Sequence, residues 1–358
     1  MRLTTRGSGR LKLRWGGVGL LLLGLAAGTA LLVAATPLGR YIARAAWEEA
    51  KILRARQPIA RLVADPGVDA ETRAKLALVL DVRRYAVDSL GLPAKKVFTQ
   101  FTQLERDTLV LVLSGARKDA LIAKTWWFPV VGRLPYKGFF DTDQALRAER
   151  ALGRDGYDTY LRPASAFSTL GWFNDPLLSS TLRADSVDLV NTVIHELTHN
   201  RYFAKGEAVF NESFANFVGA RGAERFFLSR GDTARALVAV RRWSDDRVLG
   251  AYWARLYRRL DSVFTAHPGD SLRAVRLVLR DSVYALAREE LVDSVAPRFL
   301  SIDAAYAQRV RLDNAALMAR RIYLTDLEAF ERVYAEESAD LEKSIVRIIA
   351  EHRDRTGP

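Results

Sequence analysis

The sequence predicts an α+β protein, mostly helical, with a small antiparallel or mixed sheet ahead of a pair of central helices. Three observations carry this. Helical periodicity runs from Tyr41 to about Leu92. Short apolar and aromatic runs, interrupted by Pro and Gly, fill much of residues 109–169. Helical periodicity then returns at about Ser186 and persists to the C-terminus.

The elements follow in order. Residues 1–14 contain Arg2, Arg6, Arg10, Lys12 and Arg14 and no acid, and the 25 residues 15–39 carry no charge at all. As a helix that stretch is about 37 Å long, enough to cross a hydrocarbon core of about 30 Å. The basic residues precede it, so a cytoplasmic N-terminus and an uncleaved signal-anchor are expected, with the rest of the chain outside the membrane. A cleaved signal peptide ending near Val33-Ala34-Ala35 is the competing reading.

Residues 41–95 form a helical segment. Arg44 to Arg56 is amphipathic, Asp69 is placed to cap a helix carrying Leu76, Val79, Leu80 and Val87, and Gly91-Leu92-Pro93 ends it. Leu109–Leu113, Lys124–Phe140 and Tyr157–Thr169 read as strands, with Trp126, Trp127, Phe139 and Phe140 as sheet core. Residues 96–232 are the expected core domain and 233–358 a C-terminal helical region, broken at Gly231-Asp232, at His267-Pro268-Gly269 and near Pro297.

Composition narrows the chemistry. The chain has 358 residues and no cysteine, which excludes disulfides, thiolate metal sites and cysteine nucleophiles. A transition-metal site must therefore use His, Asp and Glu. The net charge of +12 is concentrated at the N-terminus and otherwise interleaved with acids along helices. No basic block with stacking aromatics accompanies it, so no nucleic-acid partner is expected.

The chemistry centres on V-I-H-E-L-T-H-N-R-Y, residues 193–202. Val190, Val193, Ile194 and Leu197 recur at helical spacing and define a buried stripe. His195 and His199 lie one turn apart, so both imidazoles can face one ion at about 2.0–2.1 Å. Glu196 projects on an adjoining direction, where it can miss the metal and act as general base on a water. Gly206 breaks the chain, and a second helix can start near Ala208 with Phe210, Phe214, Phe217 and Val218 facing the core. Glu212 lies off that stripe and is the candidate third ligand; Glu207, in the turn, is the competitor and would be held less rigidly.

H-E-x-x-H followed by an N-E-x-x-A helix resembles the gluzincin zinc peptidases. More closely, H-E-L-T-H with K-G-E-A-V-F-N-E-S-F-A-N-F-V resembles a bacterial family of predicted aminopeptidases. The likeness includes W-E-E-A-K-I-L-R-A-R-Q-P-I, W-W-F-P-V-V-G-R-L-P-Y-K-G-F-F and F-S-T-L-G-W-F-N-D-P-L-L-S-S and covers much of residues 45–230. It implies a zincin-like core, one Zn2+ held by His195, His199 and Glu212, and Glu196 as catalytic base. Members are often lipoproteins with a cysteine ending the signal; here Ala34-Ala35-Thr36-Pro37 stands in that region, so a helical anchor is expected instead.

Tyr136 and Tyr202 are the candidate oxyanion donors. By zincin analogy, Ala164–Trp172, including Ser168, Thr169, Leu170 and Gly171, is the candidate edge strand for a peptide substrate. Asp188 and Asn191 are candidates to buttress a ligand. Asp175, Glu207 and Asp141 are candidate anchors for a substrate ammonium. The expected protein is a membrane-anchored zinc metallopeptidase of aminopeptidase type, its catalytic domain on the periplasmic or extracytoplasmic side. The rivals are an endopeptidase or cell-wall-peptide amidase, and a non-catalytic zinc-binding envelope scaffold.

Overall fold

A computed structural model describes residues 20–21, 23–25, 27–28, 35–104, 110–128, 132–163 and 176–356. The chain divides into two compact units, Met1–Ala55 and Arg56–Pro358. In the first, helix α1 (Pro37–Arg54) starts where the Thr36 side chain accepts a hydrogen bond from the Gly39 amide. It is amphipathic and carries Arg40, Arg44, Glu48, Glu49, Lys51 and Arg54.

The expected single-pass anchor is corrected here. Among the described residues no helix is long and apolar enough to cross a membrane. A span needs about 20 mainly apolar residues, whereas α1 has 18 and several are ionised. The placement of the catalytic part on the periplasmic side and the membrane as a partner fall with it. The basic tail of residues 1–14, and much of the uncharged stretch after it, lie outside the described residues.

The second unit is mostly helical with small sheets, an α+β arrangement. Helix α2 (Ile59–Ala64) leads to α3 (Ala70–Leu90), whose Asp69 cap accepts from the Thr72 amide at 2.9 Å. Gly91, at φ +61°, ends α3 in the left-handed conformation that glycine adopts readily. The strands are β1 (Gln57–Pro58), β2 (Gln100–Thr102), β3 (Leu111–Arg117), β4 (Trp126–Phe128), β5 (Gly132–Leu134), β6 (Tyr136–Phe139), β7 (Tyr157–Pro163) and β8 (Leu177–Leu178). They form three sheets, ordered β1-β2-β8, β6-β3-β7 and β4-β5.

The antiparallel β6-β3-β7 sheet matters most for the site. Ser114 stands between Tyr136 and Tyr160, and Val112 between Gly138 and Arg162. Side chains alternate between faces along a strand. Leu111, Leu113, Phe139 and Leu161 therefore share one face, packed on Ala145 and Leu152 of helix α4 (Thr142–Arg154). Tyr136, Tyr160 and Arg162 share the other. Trp126 joins this small core, but Trp127 is 57% exposed, so only one of the paired tryptophans is sheet core.

The remaining helices are α5 (Ser186–Arg201), α6 (Ala208–Leu228), α7 (Thr233–Ala266), α8 (Arg273–Glu290), α9 (Ala305–Arg309), α10 (Asn314–Arg321), α11 (Leu327–Glu336) and α12 (Leu341–Thr356). Val190, Val193, Ile194 and Leu197 of α5 are fully buried, as the helical stripe predicts. They share one core with Leu76 and Val79 of α3, Phe214 and Phe217 of α6, Phe330 of α11 and Ile345 of α12. The C-terminal helices thus complete the core around α5 and α6. Helix α10 packs on the sheet, with Arg320 over the Tyr160 ring at 5.7 Å.

Candidate metal centre

Helix α5 opens on Asp185, whose carboxylate accepts from the amides of Val187 and Asp188 at 2.9 and 3.0 Å. With the aliphatic stripe turned to the core, His195 and His199 are left half-buried on an adjoining face. The chain leaves the helix at Tyr202 and turns at Gly206, φ +87°. Asn211 closes this turn: its side chain donates to the Ala204 carbonyl at 2.7 Å and accepts from the Ala204 amide at 2.8 Å. Helix α6 then returns along α5. A Cβ on Gly219 would lie 2.9 Å from the Asn191 carbonyl oxygen, so the helices approach closely there because one position lacks a side chain.

That approach brings three ligand atoms together. His195 Nε2 and His199 Nε2 are 3.3 Å apart. Glu212 Oε2 is 3.3 Å from His195 Nε2, and its Oε1 is 3.7 Å from His199 Nε2. Atoms bound tetrahedrally to zinc at 2.0–2.1 Å stand about 3.3 Å from one another. The two 3.3 Å separations match that figure, and one ligand atom from each of the three residues lies within 4.8 Å of the others. The trio can hold a metal ion, and the two-histidine, one-carboxylate donor set is one that zinc accepts.

The electrostatics agree. Burial, reinforced by the neighbouring His195, pushes the His199 pKa down to about 4, so at neutral pH its nitrogen lone pair is free to bind. Burial alone would raise Glu212. The hydrogen bond with His195, and the electrostatic pull of His195, His199 and Arg162, outweigh it and hold the carboxyl below its ordinary range. A ligand must be deprotonated, and both groups are biased that way.

Of the other expected residues, Glu196 lies half-buried on α5 beside His195. Tyr136 projects from β6, is 38% exposed, and feels the Glu212 charge. Tyr202 goes elsewhere: its hydroxyl lies 3.1 Å from His352 Nδ1, and its ring packs on Phe210 and His352. Asp188 binds Arg242 at 2.7 Å, and Asn191 packs against Gly219. Asp141 caps α4 through the Gln144 amide at 2.8 Å, and Glu207 is exposed in the turn before α6. Ser168, Thr169, Leu170, Gly171 and Asp175 lie outside the described residues.

Two neighbours of Glu212 carry no local sequence signal. Tyr323 sits in the turn between α10 and α11 and feels the charges of Glu212 and Arg162. Helix α6 itself clasps this turn. Ser213 Oγ donates to the Ile322 carbonyl and accepts from the Thr325 amide, each at 3.0 Å. Asn216 donates to the Tyr323 carbonyl at 3.3 Å. Two residues just after the candidate ligand thus hold a tyrosine more than a hundred positions away. Arg162 arrives from β7, on the same sheet face as Tyr136.

With this geometry in view, the model of a family described as "Putative aminopeptidase" matches residues 40–353. The chain belongs to this family. The match includes most of α1, the sheets, α5, α6 and nearly all of α12. Searches of curated proteins and of solved structures returned no significant match. Membership in the aminopeptidase family supports peptidase activity. The Tyr323 turn falls inside the matched span, so the C-terminal helices belong to the family unit.

Proposed function

We propose that the protein is a zinc-dependent metallopeptidase of gluzincin type, with a zincin-like core, that removes N-terminal residues from peptides. The observation that carries this reading is the convergence of His195, His199 and Glu212 at 3.3, 3.3 and 3.7 Å, with Glu196 next to the first ligand. A zinc ion held by those three residues supplies a Lewis acid and makes a water acidic enough to deprotonate near neutral pH.

The chain's own groups do the rest. Glu196 accepts the proton of the attacking water and delivers it to the leaving amine, the task of a positioned general base that then serves as general acid. The hydroxyls of Tyr136 and Tyr323, both near Glu212, donate to the oxygen on which negative charge develops. The aliphatic stripe of α5 and the close packing at Gly219 keep the ligands rigid, so little reorganisation is needed as the reaction proceeds.

The test compares wild type with Glu196→Gln for metal content and for hydrolysis of amino-acid anilides and internally quenched peptides. Wild type should bind one zinc and cut the anilides. Glu196→Gln should keep the metal and lose turnover by about 10²–10⁴-fold. Wild-type turnover in the Glu196→Gln protein would overturn the mechanism, and cleavage of quenched peptides alone would make the enzyme an endopeptidase.

A further inference from the structure

The groups that gather around Glu212 share one chemical character. His195, His199 and Arg162 act electrostatically on its carboxylate, and the Glu212 charge is felt by Tyr136 and Tyr323. Arg162 is half-buried, and among the described residues no carboxylate lies within 4 Å of its guanidinium. Its charge reaches Glu212, but it forms no close ion pair with it, so its donors are not consumed by the ligand. The Arg162 charge also acts on Tyr323.

The fold holds these three side chains in place by independent means. Arg162 and Tyr136 lie on the outer strands of one antiparallel sheet, on the same face, with Val112 and Ser114 between them. Tyr323 is fixed by the Ser213 and Asn216 clasp on α6. Both tyrosines remain open, at 38% and 37% exposure. A planar guanidinium matches a carboxylate through two parallel hydrogen bonds. Charge points the same way. With a divalent ion on Glu212 and the Glu196 carboxylate beside it, Arg162 leaves the site with net positive charge. An anionic substrate neutralises that charge.

We propose that Arg162 forms a carboxylate-binding subsite beside the metal ligands. It selects peptides that carry a carboxylate close to the bond to be cut. The proposal rests on the metallopeptidase reading for the position of that bond. The carboxylate has two sources, the C-terminus of a short peptide or the side chain of an acidic residue.

The test is equilibrium binding to the full-length, zinc-loaded Glu196→Gln protein, measured calorimetrically with Ala-Ala-Ala, Ala-Ala-Ala amide, Asp-Ala-Ala amide and Ala-Asp-Ala amide. A carboxylate-bearing peptide should bind about ten- to a hundredfold more tightly than the neutral amide, the size of one or two charge-assisted hydrogen bonds. Which peptide gains identifies the source. Adding Arg162→Gln should erase the preference. Arg162→Lys, which keeps the charge but loses the fork, should retain only part of it. Equal binding of all four peptides, absence of binding, or a preference that survives Arg162→Gln each overturns the proposal. Turnover of the same peptides by wild type separates the two readings. Hydrolysis without carboxylate preference leaves the peptidase standing and removes the subsite. Selective binding without hydrolysis does the reverse.

Discussion

Oε2 of Glu212 stands 3.3 Å from Nε2 of His195, the same separation that divides the two imidazole nitrogens. Three atoms from two helices thus mark a position that none of them occupies. In water alone, a carboxylate and two imidazoles would not be held so close, because the ordering cost is large. The packing of α5 on α6 meets that cost in advance.

Glu212→Ala should cost more metal affinity than the roughly 10–100-fold typical of losing an outer partner. Elemental analysis after gel filtration should find stoichiometric zinc in the wild type and almost none in the variant. Full retention of zinc by Glu212→Ala would show that another group, such as Glu207, is the ligand.

The metal-free protein should lose stability as pH falls. His199 titrates at about 4 in the fold and at about 6.5 in the unfolded chain. Between those values the unfolded state binds the extra proton. The contribution is therefore fully present above pH 6.5 and lost progressively toward pH 4, to a total on the order of 3 kcal/mol. Thermal melts of the apo protein across this range check the sign, since a melting temperature that rises on acidification would contradict it. Zinc should raise the melting temperature at pH 7.5 and have little effect near pH 4.5, where protons displace it.

Tyr323→Phe should lower kcat by about 10²–10³-fold with zinc content unchanged, the usual loss for one donor to a developing oxyanion. Ser213→Ala, which unhooks the turn from α6, should reproduce part of that fall through a misplaced Tyr323. Tyr202→Phe should instead leave kcat near wild type and cost about 1 kcal/mol of stability, because its hydroxyl faces His352. Steady-state kinetics and denaturant unfolding on the three variants distinguish these outcomes.

Gly219→Ala should destabilise the protein by about 1–3 kcal/mol, as overpacking does. The new methyl meets the Asn191 backbone, one turn before His195, and neither helix can yield without moving a ligand. Zinc affinity should therefore fall together with the urea midpoint. An unchanged midpoint would mean that α5 and α6 part easily.

Much of the site could be read from residue order. The aliphatic stripe of α5, the i,i+4 histidines, the break at Gly206 and the helix beginning at Ala208 are local patterns, and local patterns survive in a one-dimensional text. The same holds for the Asp69 cap and the Gly91 stop of α3. Nearness to His199 in sequence does not fix where the Tyr202 hydroxyl points, and packing turns it to His352. The uncharged N-terminal run predicts a span by composition alone, whereas among the described residues no helix meets the length and apolarity that a span requires.

The sequence by itself determined an α+β chain with its metal-ligand types on two successive helices, since periodicity, caps and breakers act over one or two turns. Only the tertiary structure decided what surrounds Glu212. Arg162 comes from a sheet whose register sets its face, and Tyr323 from a turn held 109 residues away in sequence, from Ser213 to Ile322. Such meetings depend on how helices and strands pack, and packing is a sum of many weak contacts that no short stretch of sequence records.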